Sequence, residues 1–134
     1  TADKGETAMS ERVLRASLWL ACPFNLLAAA IVLLPGSWLG QLYGLPADVP
    51  PLYAALTAMF IALFGGAYLW LAVSRTIDRA LLALGAIGKL AAFGLSAVLA
   101  LSGQAPVPVA LAALGDLAFA LVWLTWLRSG RQPE

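Results

Sequence analysis

The sequence contains no histidine and only one cysteine, Cys22. An intrachain disulfide, a Cys-X-X-Cys redox pair, a cysteine–histidine zinc site and a histidine-based catalytic triad are therefore excluded within this chain. The sequence also lacks a P-loop glycine pattern and a Gly-X-Ser-X-Gly nucleophile motif. We therefore expect neither enzyme activity nor a cofactor, and we interpret Cys22 as a small apolar residue within a helix.

Charged residues are also scarce, since they make up 11% of the 134 residues, whereas hydrophobic residues make up 62%. Soluble domains are on average about a quarter charged and about half apolar. A globular fold of this length has too little interior to bury so much apolar surface, and a lipid bilayer is the natural solvent for such a chain. The net charge of +1, with no basic run interleaved with aromatics, argues against a nucleic-acid partner.

Four apolar segments are long enough to cross a bilayer, which takes about 20 consecutive apolar residues in a helix. The segments between them carry the Gly, Pro, Ser and Asp that end helices. The sequence therefore predicts an all-α, integral membrane four-helix bundle whose first span is retained and not cleaved as a signal peptide. The predicted spans are 13–34, 52–73, 81–101 and 107–127, with polar tails over 1–12 and 128–134.

The basic residues predict the orientation of the bundle. They flank the start of the first span, the connection between the second and third spans, and the end of the fourth: Lys4, Arg12, Arg15, Arg75, Arg79, Arg128 and Arg131. The loops 35–51 and 102–106 contain no Lys or Arg. Because positively charged flanks stay in the cytoplasm, we expect both termini on the cytoplasmic side.

A lysine, Lys89, lies inside the third span, where an unpaired charge costs about 3 kcal/mol. Asp116, in the fourth span, is the only acidic residue within any span. At 1.5 Å per residue the two lie roughly 13 Å and roughly 16 Å from the cytoplasmic ends of consecutive, antiparallel helices. We therefore predict an internal Lys89–Asp116 ion pair, with Asn25 at similar depth and Ser96 on the same helix face completing a polar core.

Each span also carries a stripe of small residues, which lets helix backbones approach closely in lipid. We predict that these stripes face inward, although the stripe on the second span could instead contact another protomer. The stripe consists of Ala21, Cys22, Asn25, Ala28 and Ala29 on the first span, and of Ala58, Ala62 and Gly66 on the second. It consists of Gly85, Lys89, Ala92 and Ser96 on the third span, and of Ala112, Ala113, Asp116 and Ala120 on the fourth.

Two features have alternative interpretations. The ion pair either fixes the register of the helices or marks a ligand site, a proton relay or an ion path. The loop 35–51 contains Trp38 and Tyr43, which are either anchors at the membrane–water boundary or parts of a lid over a site that opens to the outside.

The segment 39–72, LGQLYGLPADVPPLYAALTAMFIALFGGAYLWLA, resembles the small bacterial membrane proteins grouped with the DoxX-like families. In those families a first helix leads to a short LYGL loop, a glycine-bearing second helix follows, and two further helices complete the bundle. The resemblance implies a bacterial inner-membrane protein with an accessory or ligand-binding role, because some members are thought to act as membrane subunits alongside redox proteins. It assigns a functional role to no residue.

The expected function is therefore that of a non-enzymatic, multi-pass inner-membrane protein. It would be an accessory subunit or a binder of a small hydrophobic molecule, such as a lipid or a quinone, at the site formed by Asn25, Lys89 and Asp116. Its expected partners are membrane lipid, that small molecule, and either a membrane protein or a second copy of the chain. The alternative is a small proton-coupled transporter or channel that works as an oligomer.

Overall fold

The computed structural model describes residues 3–130, with side chains from residue 11 onwards, and this part of the chain contains helices and connecting turns but no strand. The helices are α1 (Asp3–Leu33), α2 (Trp38–Leu42), α3 (Pro51–Val73), α4 (Arg79–Leu101), α5 (Val107–Ala112) and α6 (Leu114–Ser129). Four segments are long and apolar enough to cross a membrane: Glu11–Leu33, Pro51–Val73, Arg79–Leu101 and Val107–Ser129. The predicted all-α architecture with four long apolar helices is confirmed.

The helix bounds agree with the predicted spans to within two residues except in two places. Helix α1 begins at Asp3, so the backbone of the predicted N-terminal tail is helical from that residue. The predicted fourth span consists of two helices, because Ala113, with a ψ of −11°, interrupts the regular α geometry between α5 and α6. The described part excludes residues 1–2, residues 131–134 and the side chain of Lys4. The structure therefore gives no position for the charged groups of Lys4 and Arg131.

At one end of the bundle, two arginines bond the ends of neighbouring long helices. Arg79, at the start of α4, donates to the carbonyl oxygen of Leu127 near the end of α6. Arg15, in α1, donates three hydrogen bonds of 2.8–3.1 Å to carbonyl oxygens at the end of α3, those of Ala72, Ser74 and Arg75. The last carbonyl oxygens of a helix lack amide partners further along it, so a guanidinium that donates to carbonyls at or just beyond the helix end stabilises that end. We call this end of the bundle the terminal end and the opposite end, with segments 34–50 and 102–106, the loop end.

Helix α1 packs most extensively on α3, and α4 packs most extensively on α6. Gly65 allows the first of these close approaches, because a Cβ there would lie 3.1 Å from the Cβ of Asn25 and 3.4 Å from the carbonyl oxygen of Cys22. The predicted stripe on α3 is therefore wrong at Gly66, which is exposed and where an added Cβ would meet no atom within 4 Å. The inward face runs through Ala58, as predicted, and then through Gly65 and Ala72. A seven-residue spacing stays on one face of an α-helix, whereas the four-residue spacing of the predicted stripe drifts away from that face by Gly66.

The terminal half of the bundle is solid. Its buried core consists of Leu14, Leu18, Ala21, Tyr68, Leu71, Ala72, Leu82, Ala86 and Trp123. Trp123 is fully enclosed, and its indole Nε1 donates a 2.9 Å hydrogen bond to the hydroxyl of Ser17. The polar edge of the largest core side chain is thus satisfied, and this half of the molecule forms a rigid base below Lys89.

The segment after α1 is held in place at the loop end by its own hydrogen bonds. The side-chain Nε2 of Gln41 donates to the carbonyl oxygens of Pro35 and Leu45, at 3.0 and 3.1 Å. Gly44 adopts a left-handed φ of +74°, which favours glycine, and its Cα faces Pro106 of the second loop so closely that a Cβ would lie 3.0 Å away. The two loops therefore meet above the bundle.

Candidate functional site

The predicted ion pair is present. The ammonium of Lys89 lies 2.6 Å from Oδ1 of Asp116 and 2.6 Å from Oδ1 of Asn25, and only 3% of the lysine side chain is exposed. The Nδ2 of Asn25 donates a 3.0 Å hydrogen bond to the carbonyl oxygen of Ile61. That bond fixes which way the amide points, so that its oxygen faces the ammonium. Asn25 thereby links α1, α3 and α4 through one side chain.

Three aromatic rings surround the same ammonium. The ring centroids of Phe24, Tyr68 and Phe119 lie 4.8, 5.2 and 5.4 Å from Nζ of Lys89, within the range of cation–π attraction. Phe24 and Phe119 also contact each other edge to face, with centroids 5.6 Å apart. We call these three rings the aromatic cage. Together with the two oxygens, they stabilise the positive charge.

Two glycines make room for the aromatic cage. A Cβ at Gly85 would lie 2.9 Å from Cε1 of Tyr68, and a Cβ at Gly115 would lie 2.9 Å from Cε2 and Cζ of Phe24. Real Cβ atoms do not approach ring carbons so closely, so any side chain at either position displaces a ring. The glycines next to the charged residues therefore set the positions of the rings around the ammonium.

We expect Gly115→Ala to lower the free energy of unfolding by about 1–3 kcal/mol, because the methyl group forces Phe24 off its position against the ammonium. Gly94→Ala is the matched control, since a Cβ there meets no atom within 4 Å and alanine raises helix propensity by about 1 kcal/mol. Thermal unfolding of the purified proteins in one detergent measures the difference. Equal melting temperatures for the two variants would contradict the close packing of Phe24.

The loop-side half of the bundle is hollow, in contrast to the terminal half. A cavity of about 440 Å³ begins at Lys89 and Asp116 and extends towards the loop end, with mostly apolar walls from α1, α3, α4 and α5. Tyr43 and Leu45 of the first loop also line it. This volume lies within the range of about 300–1,000 Å³ that is typical of small-molecule sites. Because Tyr43 lines the cavity, its position favours the interpretation of this loop as a lid. Trp38 is exposed and does not line the cavity.

Few polar groups border the cavity, and only some of their hydrogen-bonding atoms have a partner. Ser96 lines the wall but makes no hydrogen bond to the other three predicted site residues, so the structure joins three of the four. Asp116 is 17% exposed and bonds Lys89 through Oδ1, while its Oδ2 has no partner among the described residues. The hydroxyl of Tyr68 likewise has no hydrogen-bond partner in residues 11–130. The cavity therefore retains unused hydrogen-bonding capacity at its base.

We infer that the cavity reaches the outer surface between α3 and α4, because each helix contributes a lining residue that is exposed. Phe60 of α3 and Ala92 of α4 both line it, and both are exposed. Closer to the ion pair the same two helices are in contact, because the ring of Phe64 lies 3.4 Å from the position of a Cβ on Gly88. We call the gap between Phe60 and Ala92 the side opening.

The aromatic cage and the unpartnered hydroxyl of Tyr68 were not predicted from the sequence. Two signals were available: Phe24 immediately precedes Asn25, and Phe119 follows Asp116 by about one helical turn. Over the side chains that the structure describes, no group of three or more His, Cys, Asp or Glu residues is placed to hold a metal ion.

Comparison of the chain with protein-family models, with curated proteins and with solved structures finds no significant match. The site is therefore interpreted from its own geometry: an enclosed ammonium, a partly exposed carboxylate, and an apolar cavity above them.

Proposed function

We propose that this chain is a multi-pass protein of the bacterial inner membrane, with both termini in the cytoplasm, that binds a small hydrophobic molecule of the lipid or quinone class without acting on it chemically. The observation that carries the proposal is the apolar cavity of about 440 Å³ whose base is the Lys89–Asp116 ion pair. An apolar pocket with a few convergent polar groups is the usual form of a ligand site.

The outer surface of the bundle supports a membrane location. Large hydrophobic side chains are exposed along all four long segments, among them Leu20, Leu63, Trp70, Leu95 and Leu121. A soluble monomer rarely exposes a continuous apolar surface of more than a few hundred Å². In a bilayer the side opening between Phe60 and Ala92 faces lipid, so a membrane-dissolved molecule enters the cavity without crossing water.

An accessory role beside a membrane partner is part of the proposal, and membership of the DoxX-like families stays a prediction that favours it. Ala62 and Gly66 face outward on α3 and, with Met59 and Trp70, line a shallow groove on the outer surface. Small residues on an outward helix face suit contact with another membrane helix. This arrangement favours the alternative that the stripe contacts a second copy or a partner.

The runner-up function, a proton-coupled transporter or channel, has less support from the geometry. The terminal half of the bundle is packed with Tyr68, Leu71 and Trp123, each of which is at most 2% exposed. A transport pathway would therefore have to form between protomers. The cavity has one closed end, as a binding site does.

Filling the cavity tests the binding proposal. Ala92→Phe places a ring in the side opening, whereas Leu95→Phe, on the exposed face of the same helix, adds an aromatic ring outside the cavity. After purification in a mild detergent, we expect native mass spectrometry to show a bound lipid or small molecule on the wild-type protein and on Leu95→Phe, and its loss from Ala92→Phe. The proposal would be refuted if the wild-type protein carried no ligand, or if the wild-type protein, Leu95→Phe and Ala92→Phe carried equal amounts of bound ligand.

A further inference from the structure

The charges that border the cavity cancel. Lys89 and Asp116 are the only ionisable acidic or basic side chains in its lining, and they form one ion pair. A ligand with a cationic or anionic head group would bring a second, uncompensated charge into a space that is otherwise apolar. An unpaired charge in such surroundings is strongly unfavourable. The cavity is therefore suited to an uncharged ligand.

The hydrogen-bonding groups at the base of the cavity are specific. Among the described side chains every fully enclosed polar atom has a hydrogen-bond partner. Tyr68 lines the cavity and is only 2% exposed, and because its hydroxyl lacks a partner, at least part of this small exposed area lies at the hydroxyl. Asp116, whose Oδ2 has no partner among the described residues, lines the same cavity.

The Asp116 carboxylate and the Tyr68 hydroxyl differ in the hydrogen bonds that they can form. The Asp116 carboxylate oxygen only accepts hydrogen bonds, whereas the Tyr68 hydroxyl both donates and accepts. The ammonium of Lys89 also lies at the base of the cavity, but it already donates to Asn25 and Asp116 and faces the aromatic cage, and only 3% of the lysine side chain is exposed. A ligand must therefore supply a donor for Asp116, and a hydroxyl group can donate to Asp116 and accept from Tyr68 through one oxygen.

We propose that the cavity binds an uncharged amphiphile with a hydroxyl head group. The head group donates a hydrogen bond to Oδ2 of Asp116 and accepts one from the hydroxyl of Tyr68, while its apolar tail follows the walls to the side opening between Phe60 and Ala92. This inference rests on the proposed binding function and narrows it to one class of head group.

The test compares four probes with the same tail: 1-decanol, decanoate, decylamine and decane. Their affinities for the wild-type protein are measured by titration and native mass spectrometry in one mild detergent at about pH 8, where the carboxyl and amino groups are ionised. We expect 1-decanol to bind at least about tenfold more tightly than either charged probe, because each brings an unpaired charge into the cavity. This comparison needs no variant and so does not depend on the folding of one.

Tyr68→Phe then removes the proposed donor and keeps the ring of the cage. We expect it to weaken 1-decanol binding by about threefold to tenfold, as the loss of one neutral hydrogen bond does, and to leave decane binding unchanged. Tyr53→Phe is the matched control, because Tyr53 lies on the same helix, is exposed and does not line the cavity.

The outcomes separate the two proposals. Equal binding of the charged probes, or unchanged 1-decanol binding in Tyr68→Phe, overturns the head-group inference; if Ala92→Phe still abolishes binding, the cavity remains the ligand site. If Ala92→Phe leaves the binding of every probe unchanged, the cavity is not the site and the proposed function fails with the inference.

Discussion

Asp116→Leu, introduced alone, is expected to lower the free energy of unfolding by about 3–5 kcal/mol, since it leaves an enclosed ammonium without its counter-ion. Lys89→Met alone is expected to act in the same direction, because it leaves the carboxylate unpaired. The double variant Lys89→Met/Asp116→Leu should recover much of this loss, because two apolar side chains of similar size replace the pair. Thermal unfolding of all four proteins in one detergent completes the cycle.

The cycle also separates the two interpretations of the ion pair. If the pair only fixes helix register, the double variant folds and binds 1-decanol as tightly as the wild-type protein. If Asp116 holds a ligand, the double variant folds but loses that affinity. Additive destabilisation, with the double variant as unstable as the sum of the two single variants, would show that the charges are not coupled.

Trp123→Ala is expected to lower the free energy of unfolding by about 3–5 kcal/mol, because it leaves a large void in the solid half of the bundle. The indole is fully enclosed, its ring centroid lies 4.8 Å from that of Tyr68, and its Nε1 bonds Ser17. In a bilayer, Trp123→Ala removes mainly packing contacts, because helices that associate in lipid do not bury surface away from water.

Trp70→Ala provides the control for this prediction. Trp70 is 70% exposed, so its removal leaves no internal void, and we expect a change of within about 0.5 kcal/mol. Thermal unfolding in a single detergent again supplies the measurement. Similar losses in both variants would mean that the terminal half is not more tightly packed than the outer surface.

The number of long helices and the ion pair were predictable from the sequence, because each has a strong physical signal. An apolar run long enough to cross a bilayer is unlike any segment of a soluble domain. Lys89 and Asp116 were the only opposite charges within the spans at matching depth, so the cost of burying either one alone indicated its partner.

The rotation of the helices and the cavity were not predictable in the same way. In a soluble helix the polar face marks the outside, but on α3 the exposed Phe60 and Leu63 are as apolar as the buried Leu71. Hydropathy therefore could not distinguish Gly65 from Gly66 as the residue that contacts α1. The aromatic cage and the hollow loop-side half depend on that rotation, and only the three-dimensional structure reveals them.

The link that Asn25 makes between three helices has a consequence for how the chain is made. During synthesis the amide of Asn25 and the ring of Phe24 leave the ribosome well before Lys89, and Asp116 follows Lys89 by 27 residues. In the proposed bilayer setting, the third span reaches the membrane before its carboxylate partner does. Either the third and fourth spans enter the membrane together as a hairpin, or Asn25 and Phe24 of the first span contact the ammonium until Asp116 arrives.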